Sequence, residues 1–235
     1  MLPIQQNISL QSYNTFHCEA NAKFFCIIRS TKELIDAIHW ANQNKLSVLT
    51  LGGGSNIIFT KDFDGLVLKM EIKGIQKLAE QDQIVTLKVG AGENWHHFVQ
   101  YAIEKSWSGI ENLSLIPGTV GASPIQNIGA YGVEVKDVIE NVEVYDLLEN
   151  KMKIFNHHEC QFGYRDSIFK QKKDRYIIVA VVFNLNTITH LHLEYGAIRE
   201  ELHHRNIKNP GLKDVSNAVI SIRQSKLPDP TKIGN

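Results

Sequence analysis

Apolar positions at the start of the chain follow a strand, helix, strand order. The runs KFFCII at 23–28 and LSVLTL at 46–51 are short and apolar, and they predict two strands. Between them, apolar residues recur at helical spacing: Leu34, Ile35, Ile38 and Ala41. Ser30 and Glu33 form a predicted capping box, because a hydroxyl three residues before a glutamate can satisfy exposed helix N–H groups reciprocally. The pattern predicts a βαβ unit whose second strand runs directly into glycines.

Later parts of the chain alternate between predicted strands and two helices. Apolar runs predict strands at 65–70, 84–89, 138–147, 151–155 and 176–185. One helix is expected from about Asn94 to Lys105, with an apolar face of Trp95, Phe98, Val99, Ala102 and Ile103. A last helix is expected from Val215 to about Gln224, with Asp214 as its cap and Val215, Ala218, Val219 and Ile222 inward. A long loop is expected at 111–132.

Composition narrows the class of protein. The chain has 235 residues, of which 43% are hydrophobic and 21% charged, so it is expected to be globular. Lys+Arg and Asp+Glu are both 25, and a nucleic-acid binder would normally show a basic excess. The sequence shows no apolar run of membrane-spanning length and no signal peptide at its start, and its three cysteines are odd in number. We therefore expect a cytoplasmic protein with reduced thiols.

Glycines are concentrated where the chemistry is expected. Twelve of the 16 lie between residues 52 and 132. The first cluster follows a predicted strand, and its successive N–H groups can form an anion-binding nest from Gly52, Gly53, Gly54, Ser55 and Asn56. It lacks the spacing of a P-loop or a dinucleotide-binding fingerprint, and a glycine-rich turn can also be no more than a tight turn. A second cluster, at 90–95, again joins a strand to a helix start.

The third cluster, at 116–132, is the densest. Four glycines, two prolines and amide side chains predict an apolar but hydrogen-bonding wall, which suits a flat heteroaromatic ring with polar edges. The residues expected to bind such a cofactor are Pro117, Gly118, Thr119, Gly121, Ser123, Gln126, Asn127, Gly129, Ala130 and Tyr131. Three clusters in one chain make independent turns the weaker interpretation.

Arg165 is the candidate catalytic residue. It stands between an aromatic residue and Asp166 in FGYRDS at 162–167, where its planar fork can face a carboxylate or an enolate. The alternative is a surface arginine paired with Asp166. The histidines near Cys160 and the His190/His192 pair lack a second half with ligand spacing, so no metal site is predicted.

Six separated motifs, in this order, resemble the UDP-N-acetylenolpyruvoylglucosamine reductase (UDP-N-acetylmuramate dehydrogenase) family of flavoenzymes. They are Asn14-Thr15-Phe16, GGGSN at 52–56, VGAGENW at 89–95, ENLSLIPGTVGASPIQNIGAYG at 111–132, FGYRDSIFK at 162–170 and KLPDP at 226–230. The chain is most similar to the first type of this enzyme, which carries a Tyr-containing loop, here Glu194-Tyr195-Gly196. The likeness covers nearly the whole chain.

The resemblance implies an α+β fold of the vanillyl-alcohol-oxidase (PCMH) type. Residues 1–190 would form the FAD-binding domain, in subdomains of about 1–70 and 71–190. Residues 191–235 would begin an α/β substrate-binding domain that is incomplete in this chain. A monomer with a small-molecule substrate is expected, without nucleic acid or membrane partners.

The resemblance also implies the reaction and the residues that carry it. NADPH would reduce a non-covalently bound FAD, and hydride would then pass to the enolpyruvyl group of UDP-N-acetylglucosamine enolpyruvate, giving UDP-N-acetylmuramate for peptidoglycan synthesis. Arg165 matches the family's catalytic arginine, which stabilises charge on the enolpyruvyl carboxylate. Tyr195 and Lys226 match residues that contact the substrate diphosphate, and Arg223 is assigned to the cofactor.

The family pattern continues after KLPDP through a Gly-Asn-Ala-Gly-Ser segment, whose serine donates the proton, and a C-terminal glutamate assists. The chain ends at Asn235 before both, so we expect one of three catalytic residues here and no full turnover by this polypeptide alone. The alternatives are a catalytically inactive FAD-binding fragment and another oxidoreductase of the same flavin fold.

Overall fold

The computed structural model describes residues 2–227, so residues 228–230 of the KLPDP motif and the chain end lie outside the described part. The described residues divide into two compact units, one up to Lys73 and the other from Gly74 to Leu227. Residues 191–227 belong to the second unit, and the prediction that they begin a further domain stays a prediction.

The first unit is a four-stranded sheet with one helix. Its elements are β1 (Gln5–Ser9), β2 (Asn21–Ile28), α1 (Thr31–Gln43), β3 (Ser47–Leu51) and β4 (Phe63–Met70). The sheet order is β1-β2-β4-β3, with β1 antiparallel to β2 and the other pairs parallel. The predicted βαβ unit is confirmed, with β4 lying between its two strands.

The start of α1 differs in detail from the predicted capping box. The Ser30 hydroxyl accepts a hydrogen bond from the Glu33 N–H at 3.2 Å, as expected of an N-cap. The Glu33 carboxylate instead accepts from the N–H of Arg29, one residue before the cap, at 2.6 Å. Both bonds fix the chain where β2 turns into α1.

The second unit is built on a five-stranded antiparallel sheet. Its elements up to the end of the sheet are β5 (Ile75–Gln81), β6 (Ile84–Gly90), α2 (Trp95–Glu104), β7 (Gly129–Ala130), β8 (Val133–Glu134), β9 (Ile139–Asp146), β10 (Lys151–Asn156), α3 (Ile168–Gln171) and β11 (Tyr176–Asn186). The sheet order is β10-β9-β11-β6-β5, and β7 and β8 form a separate small hairpin. Trp95, Phe98 and Phe183 pack together at the centre of the core, each at most 1% exposed. All predicted strands and the helix starting after Asn94 are confirmed within a few residues.

Two helices complete the second unit, α4 (Gly196–His204) and α5 (Leu212–Lys226). They pack on each other through a small apolar cluster of Ile198, Leu202, Val215, Ala218, Val219 and Ile222. The predicted start of α5 is wrong by three residues. Gly211 is its N-cap, and Asp214 lies inside the first turn, where its carboxylate accepts from the Gly211 N–H at 2.9 Å. No helix among residues 2–227 has the length and apolar character needed to cross a membrane.

Candidate functional site

The first unit contributes the glycine turn that follows β3. Gly54 has a φ of +71°, and a Cβ there would overlap the carbonyl oxygen of Tyr13, so no other residue fits without distortion. Asn14 is buried in the adjoining loop, where its amide donates to the carbonyl of Leu10 at 2.8 Å and accepts from the Cys18 N–H at 2.9 Å. This explains why the Asn14 and glycine motifs occur together.

The same turn presents free hydrogen-bond donors. Gly53 and Asn56 are exposed and Ser55 is half-buried. Within residues 2–227, none of their three backbone N–H groups donates to a protein acceptor. Adjacent free N–H groups in a glycine turn favour an anion such as a pyrophosphate. The residues present fit that part of a dinucleotide cofactor.

In the second unit, the glycine clusters at 90–95 and 117–132 lie against each other. Backbone hydrogen bonds join Gly121 N–H to the Ala91 carbonyl at 2.9 Å and Val120 N–H to the Glu93 carbonyl at 2.8 Å. A Cβ on Gly121 would lie 2.6 Å from the Ala91 Cβ, so glycine is required for this close approach. The two motifs form one surface at the end of β6.

The predicted cofactor residues of this segment fall into two groups by exposure. Those at least partly exposed, and so able to touch a ligand, are Pro117, Gly118, Gln126, Gly129, Ala130 and Tyr131. Those buried are Thr119, Gly121, Ser123 and Asn127. Ser123 donates to the Val120 carbonyl at 2.8 Å, and Asn127 is 0% exposed with its amide engaged on both sides. Their side chains serve the loop, so direct cofactor contact by Ser123 or Asn127 does not follow from this placement.

Arg165 lies on a tight turn between Gly163 and Asp166, which exchange backbone hydrogen bonds of 3.0 and 3.2 Å. Its φ is +53°, a conformation that a residue with a side chain adopts only when its surroundings impose it. One guanidinium nitrogen (Nη2) donates to the carbonyl of Gly129 at 3.0 Å. Asp166 accepts instead from Gln171 at 2.8 Å. The Arg165 side chain therefore contacts the glycine-rich segment. It does not pair with Asp166, which was the alternative expected from the sequence.

Arg223 of α5 lies at the same segment. Its Nε donates to the carbonyl of Leu115 at 3.1 Å, and its guanidinium lies near the Tyr131 phenol. Partial burial lowers the pKa of Arg223, and the positive charge of Arg165 lowers it further. The phenol of Tyr131 has the opposite effect and raises this pKa. Burial also raises the pKa of Tyr131, an effect that the charge of Arg223 offsets in part. The guanidinium groups of Arg165 and Arg223 are therefore close enough for the charge of one to affect the pKa of the other.

Tyr195 joins this group through an aromatic contact. Its ring meets that of Tyr131 edge to face, with centroids 5.3 Å apart. Tyr131 and Leu115 both have positive φ values, as Arg165 has. The structure brings together four predicted residues from distant parts of the sequence, Tyr131, Arg165, Tyr195 and Arg223.

Lys226 occupies a different place. It ends α5 and lines a cavity of about 600 Å³ between α4 and α5, together with Arg199, Glu200, His203 and Ser225. Tyr195 is not among the residues that line this cavity. This cavity therefore does not bring the two predicted substrate residues together.

Sequence reasoning missed the buried polar residues beneath the segment. Asn112 donates to the carbonyls of Tyr131 at 3.0 Å and His192 at 2.9 Å, which ties the loop before α4 to the site. Ser114 and Ser216 share a hydrogen bond of 2.8 Å that fixes α5. Burial raises the pKa of Glu111. The quoted motif contains Asn112 and Ser114, but nothing in its spacing identified them as supports.

Between residues 2 and 227, no three His, Cys, Asp or Glu side chains lie close enough together to hold a metal ion.

Comparison with known proteins agrees with this geometry. The FAD binding domain family matches residues 22–149. The curated UDP-N-acetylenolpyruvoylglucosamine reductases of Amoebophilus asiaticus and Pseudomonas fluorescens are 50% and 47% identical to this chain. Each alignment covers 100% of this chain and 69% of the relative. The chain belongs to the UDP-N-acetylenolpyruvoylglucosamine reductase family.

Solved structures of this reductase family and of related flavoproteins have the same fold. The crystal structure of the Thermus caldophilus UDP-N-acetylenolpyruvylglucosamine reductase aligns with a TM-score of 0.73 at 21% identity, covering 98% of this chain and 73% of that one. A VAO-type flavoprotein from Myceliophthora thermophila aligns with a TM-score of 0.54 at 12% identity, covering 71% and 32%. The predicted α+β FAD-binding fold is confirmed, and FAD is the cofactor.

Proposed function

We propose that this protein, with FAD bound, reduces the enolpyruvyl group of UDP-N-acetylglucosamine enolpyruvate to give UDP-N-acetylmuramate, using NADPH as the reductant. The proposal is supported by its membership of the reductase family over its whole length. We further propose that it acts as a cytoplasmic monomer in peptidoglycan synthesis, without nucleic acid or membrane partners.

The chain's own residues would hold the cofactor in two places. The free N–H groups of Gly53, Ser55 and Asn56 would donate hydrogen bonds to the pyrophosphate. Gly118 and Gly129 are partly exposed, and their backbone would face the ring system. FAD, when bound, supplies the carrier that passes hydride from NADPH to the substrate.

Binding of FAD is proposed to be non-covalent. Cys26 and Cys160 are buried, and burial raises their pKa values to about 11 and about 12. A thiol is nucleophilic only as the thiolate, so neither cysteine is suited to attack a flavin.

Arg165 carries the proposed chemistry. Hydride addition to the enolpyruvyl group builds negative charge on the neighbouring carbon and its carboxylate. A guanidinium presents two parallel N–H donors to a carboxylate and stays charged throughout. The observation that carries the assignment is the hydrogen bond from the Arg165 side chain to the Gly129 carbonyl. Gly129 lies within the residues that match the FAD binding domain family.

The nucleotide sugar would meet the remaining cations and phenols. Tyr195 is half-exposed at the start of α4 and is proposed to contact the diphosphate. Lys226 is proposed to contact it too, and Arg223 to pair with the cofactor. The cavity that Lys226 lines includes neither Tyr195 nor Arg223.

Product detection tests the proposal. The protein expressed from its gene is loaded with FAD and mixed with NADPH and UDP-N-acetylglucosamine enolpyruvate, and the nucleotide sugars are followed by mass spectrometry. We expect a product heavier by two hydrogens, formed in step with NADPH oxidation. UDP-N-acetylglucosamine, which lacks the enolpyruvyl group, and lactate are the controls. Oxidation of lactate in place of enolpyruvate reduction would identify a hydroxy-acid dehydrogenase of the same fold and overturn the proposal.

A further inference from the structure

Two buried side chains connect the turn of Arg165 to the glycine-rich segment. The Asn127 amide nitrogen donates to the carbonyl of Gly163 at 2.9 Å, and its oxygen accepts from the Lys136 N–H at 3.1 Å. The Ser167 hydroxyl donates to the carbonyl of Ile125 at 2.6 Å. Both residues are 0% exposed.

These two anchors lie at the two ends of the turn. Gly163 is its first residue, and Ser167 directly follows its last residue, Asp166. Between the anchors, Arg165 has a φ of +53° and contacts Gly129, which belongs to the same segment as Asn127. An uncommon backbone conformation persists only where the surroundings over-determine it. Asn127 and Ser167 supply that restraint from both sides.

We propose that Asn127 and Ser167 are positioning residues that hold the Gly163–Asp166 turn, and with it Arg165, in register with the glycine-rich segment. The inference rests on the proposed function for the role of Arg165. It also changes the expected role of Asn127, because a fully buried amide whose nitrogen and oxygen are both engaged acts through Gly163 and not by touching the cofactor.

Asn127 is suited to this role in two ways. Its φ of +43° lies in the left-handed region, which asparagine tolerates better than most residues. Its amide also offers a donor and an acceptor on one short side chain, which the Gly163 carbonyl and the Lys136 N–H both require. A hydroxyl would have to serve both partners from a single atom, and an apolar group offers neither function.

The variant Asn127→Asp tests the bond to Gly163 at a pH where the new carboxyl is ionised. It keeps the shape, the tolerance of positive φ and an oxygen that accepts from Lys136, but the carboxylate cannot donate to the Gly163 carbonyl and places a negative charge beside it. In the FAD-loaded protein expressed from its gene, we expect reoxidation of reduced flavin by the enolpyruvyl substrate to slow by about a hundredfold, since small misplacements of a positioned group cost rates of this order. Reduction by NADPH should stay unchanged. The defect should shrink at low pH, because the protonated carboxyl can again donate.

A double-variant cycle separates positioning from a general loss of structure. If Asn127 acts through Arg165, Asn127→Asp in an Arg165→Ala background should slow reoxidation little further, since residues acting as a unit are not additive. Ser167→Ala is tested in the same cycle with Arg165→Ala. If Asn127→Asp fails to fold, the Ser167→Ala cycle alone tests the positioning role. Thr86→Val is the matched control, because it removes one side-chain hydrogen bond, to Asn184 at 2.8 Å, from the β6–β11 sheet.

Amide hydrogen exchange gives a readout that does not depend on turnover. Loosening the turn should speed exchange of the Asp166 N–H by about tenfold in Asn127→Asp and Ser167→Ala, and not in Thr86→Val. Additive rate effects, or unchanged Asp166 exchange in both variants, would overturn the positioning role. If the substrate fails to reoxidise the unaltered protein while Asp166 exchange responds as expected, the proposed function fails and the anchoring of the turn stands.

Discussion

Arg165 shows how one residue can combine backbone strain with electrostatic function. Its left-handed backbone is uncommon for an arginine, and its side chain reaches a carbonyl 36 residues away in sequence, that of Gly129. The Lys170 ammonium donates to the Arg165 carbonyl at 2.6 Å and adds a further restraint. The Lys170 bond restrains the Arg165 backbone, and one hydrogen bond directs the exposed guanidinium to Gly129. Electrostatic stabilisation of a developing charge requires a group placed in advance in this way.

Replacing Arg165 by alanine should slow flavin reoxidation by the enolpyruvyl substrate about a hundred- to a thousandfold, the usual cost of losing one preorganised charge stabiliser. Arg165→Lys should recover little, because an ammonium cannot present two parallel donors. Stopped-flow measurement of both half-reactions checks this. Equal slowing of the reduction by NADPH would assign Arg165 a structural role.

Gly54 makes a second prediction at this scale. Gly54→Ala should lower the free energy of unfolding by at least about 1 kcal/mol, because the left-handed φ alone costs that much, and it should weaken FAD binding. Urea unfolding and flavin titration measure the two effects. Gly196→Ala is the control, since a Cβ there meets no heavy atom within 4 Å. Equal stability of the two variants would refute the steric argument.

At the scale of elements, an ion-pair network joins three strands of the second unit. Asp146 ends β9, and its buried carboxylate is 2.8 Å from the Lys153 ammonium on β10 and 3.0 Å from the Arg175 guanidinium just before β11. Burial alone would raise the pKa of Asp146, but hydrogen bonds from Arg175, Lys153 and two backbone amides hold it well below its usual range.

Asp146→Asn should therefore lower the free energy of unfolding at neutral pH by about 2 kcal/mol, since hydrogen bonds to a buried charged group are worth roughly this much and both cations keep Glu149 as a partner. A carboxyl with a depressed folded pKa contributes stability above its unfolded pKa and loses it as pH falls. The difference between variant and parent should shrink below about pH 4. Asp36→Asn, in the exposed Lys32–Asp36 pair, is the control and should change stability by about 0.5 kcal/mol or less. A pH-independent difference would contradict this assignment.

The spacing of apolar residues predicted the strands and helices that bury one face. It missed the elements whose buried residues are too few to give a regular spacing. β5 is an edge strand with exposed residues at six of its seven positions, so it shows no alternation. α4 buries only Ile198 and Leu202, which is too weak a pattern. The start of α5 was missed because Asp214 suits an N-cap as well as the first turn it occupies. The glycine motifs and Arg165 were identifiable from residue types, whereas the contact of Arg165 with Gly129 depends on the tertiary fold.

At the scale of the whole molecule, the glycine turn after β3 and the segment 117–132 are the two parts of the chain that we propose contact the cofactor. The family match from residue 22 to residue 149 includes both. The purified protein should be yellow and should release free FAD on acid precipitation. Flavin retained in the pellet would show a covalent bond, and a colourless protein that cannot be reconstituted would remove the flavin assignment.

The central claim is that reduced flavin in this protein passes its hydride to an enolpyruvyl sugar nucleotide. The most direct measurement is a single turnover without oxygen, in which the protein expressed from its gene is loaded with FAD, reduced with one equivalent of NADPH and then mixed with UDP-N-acetylglucosamine enolpyruvate. We predict that the flavin absorbance returns and that one UDP-N-acetylmuramate forms per flavin reoxidised. Flavin that stays reduced until air is admitted, with the sugar nucleotide unchanged, would contradict the account.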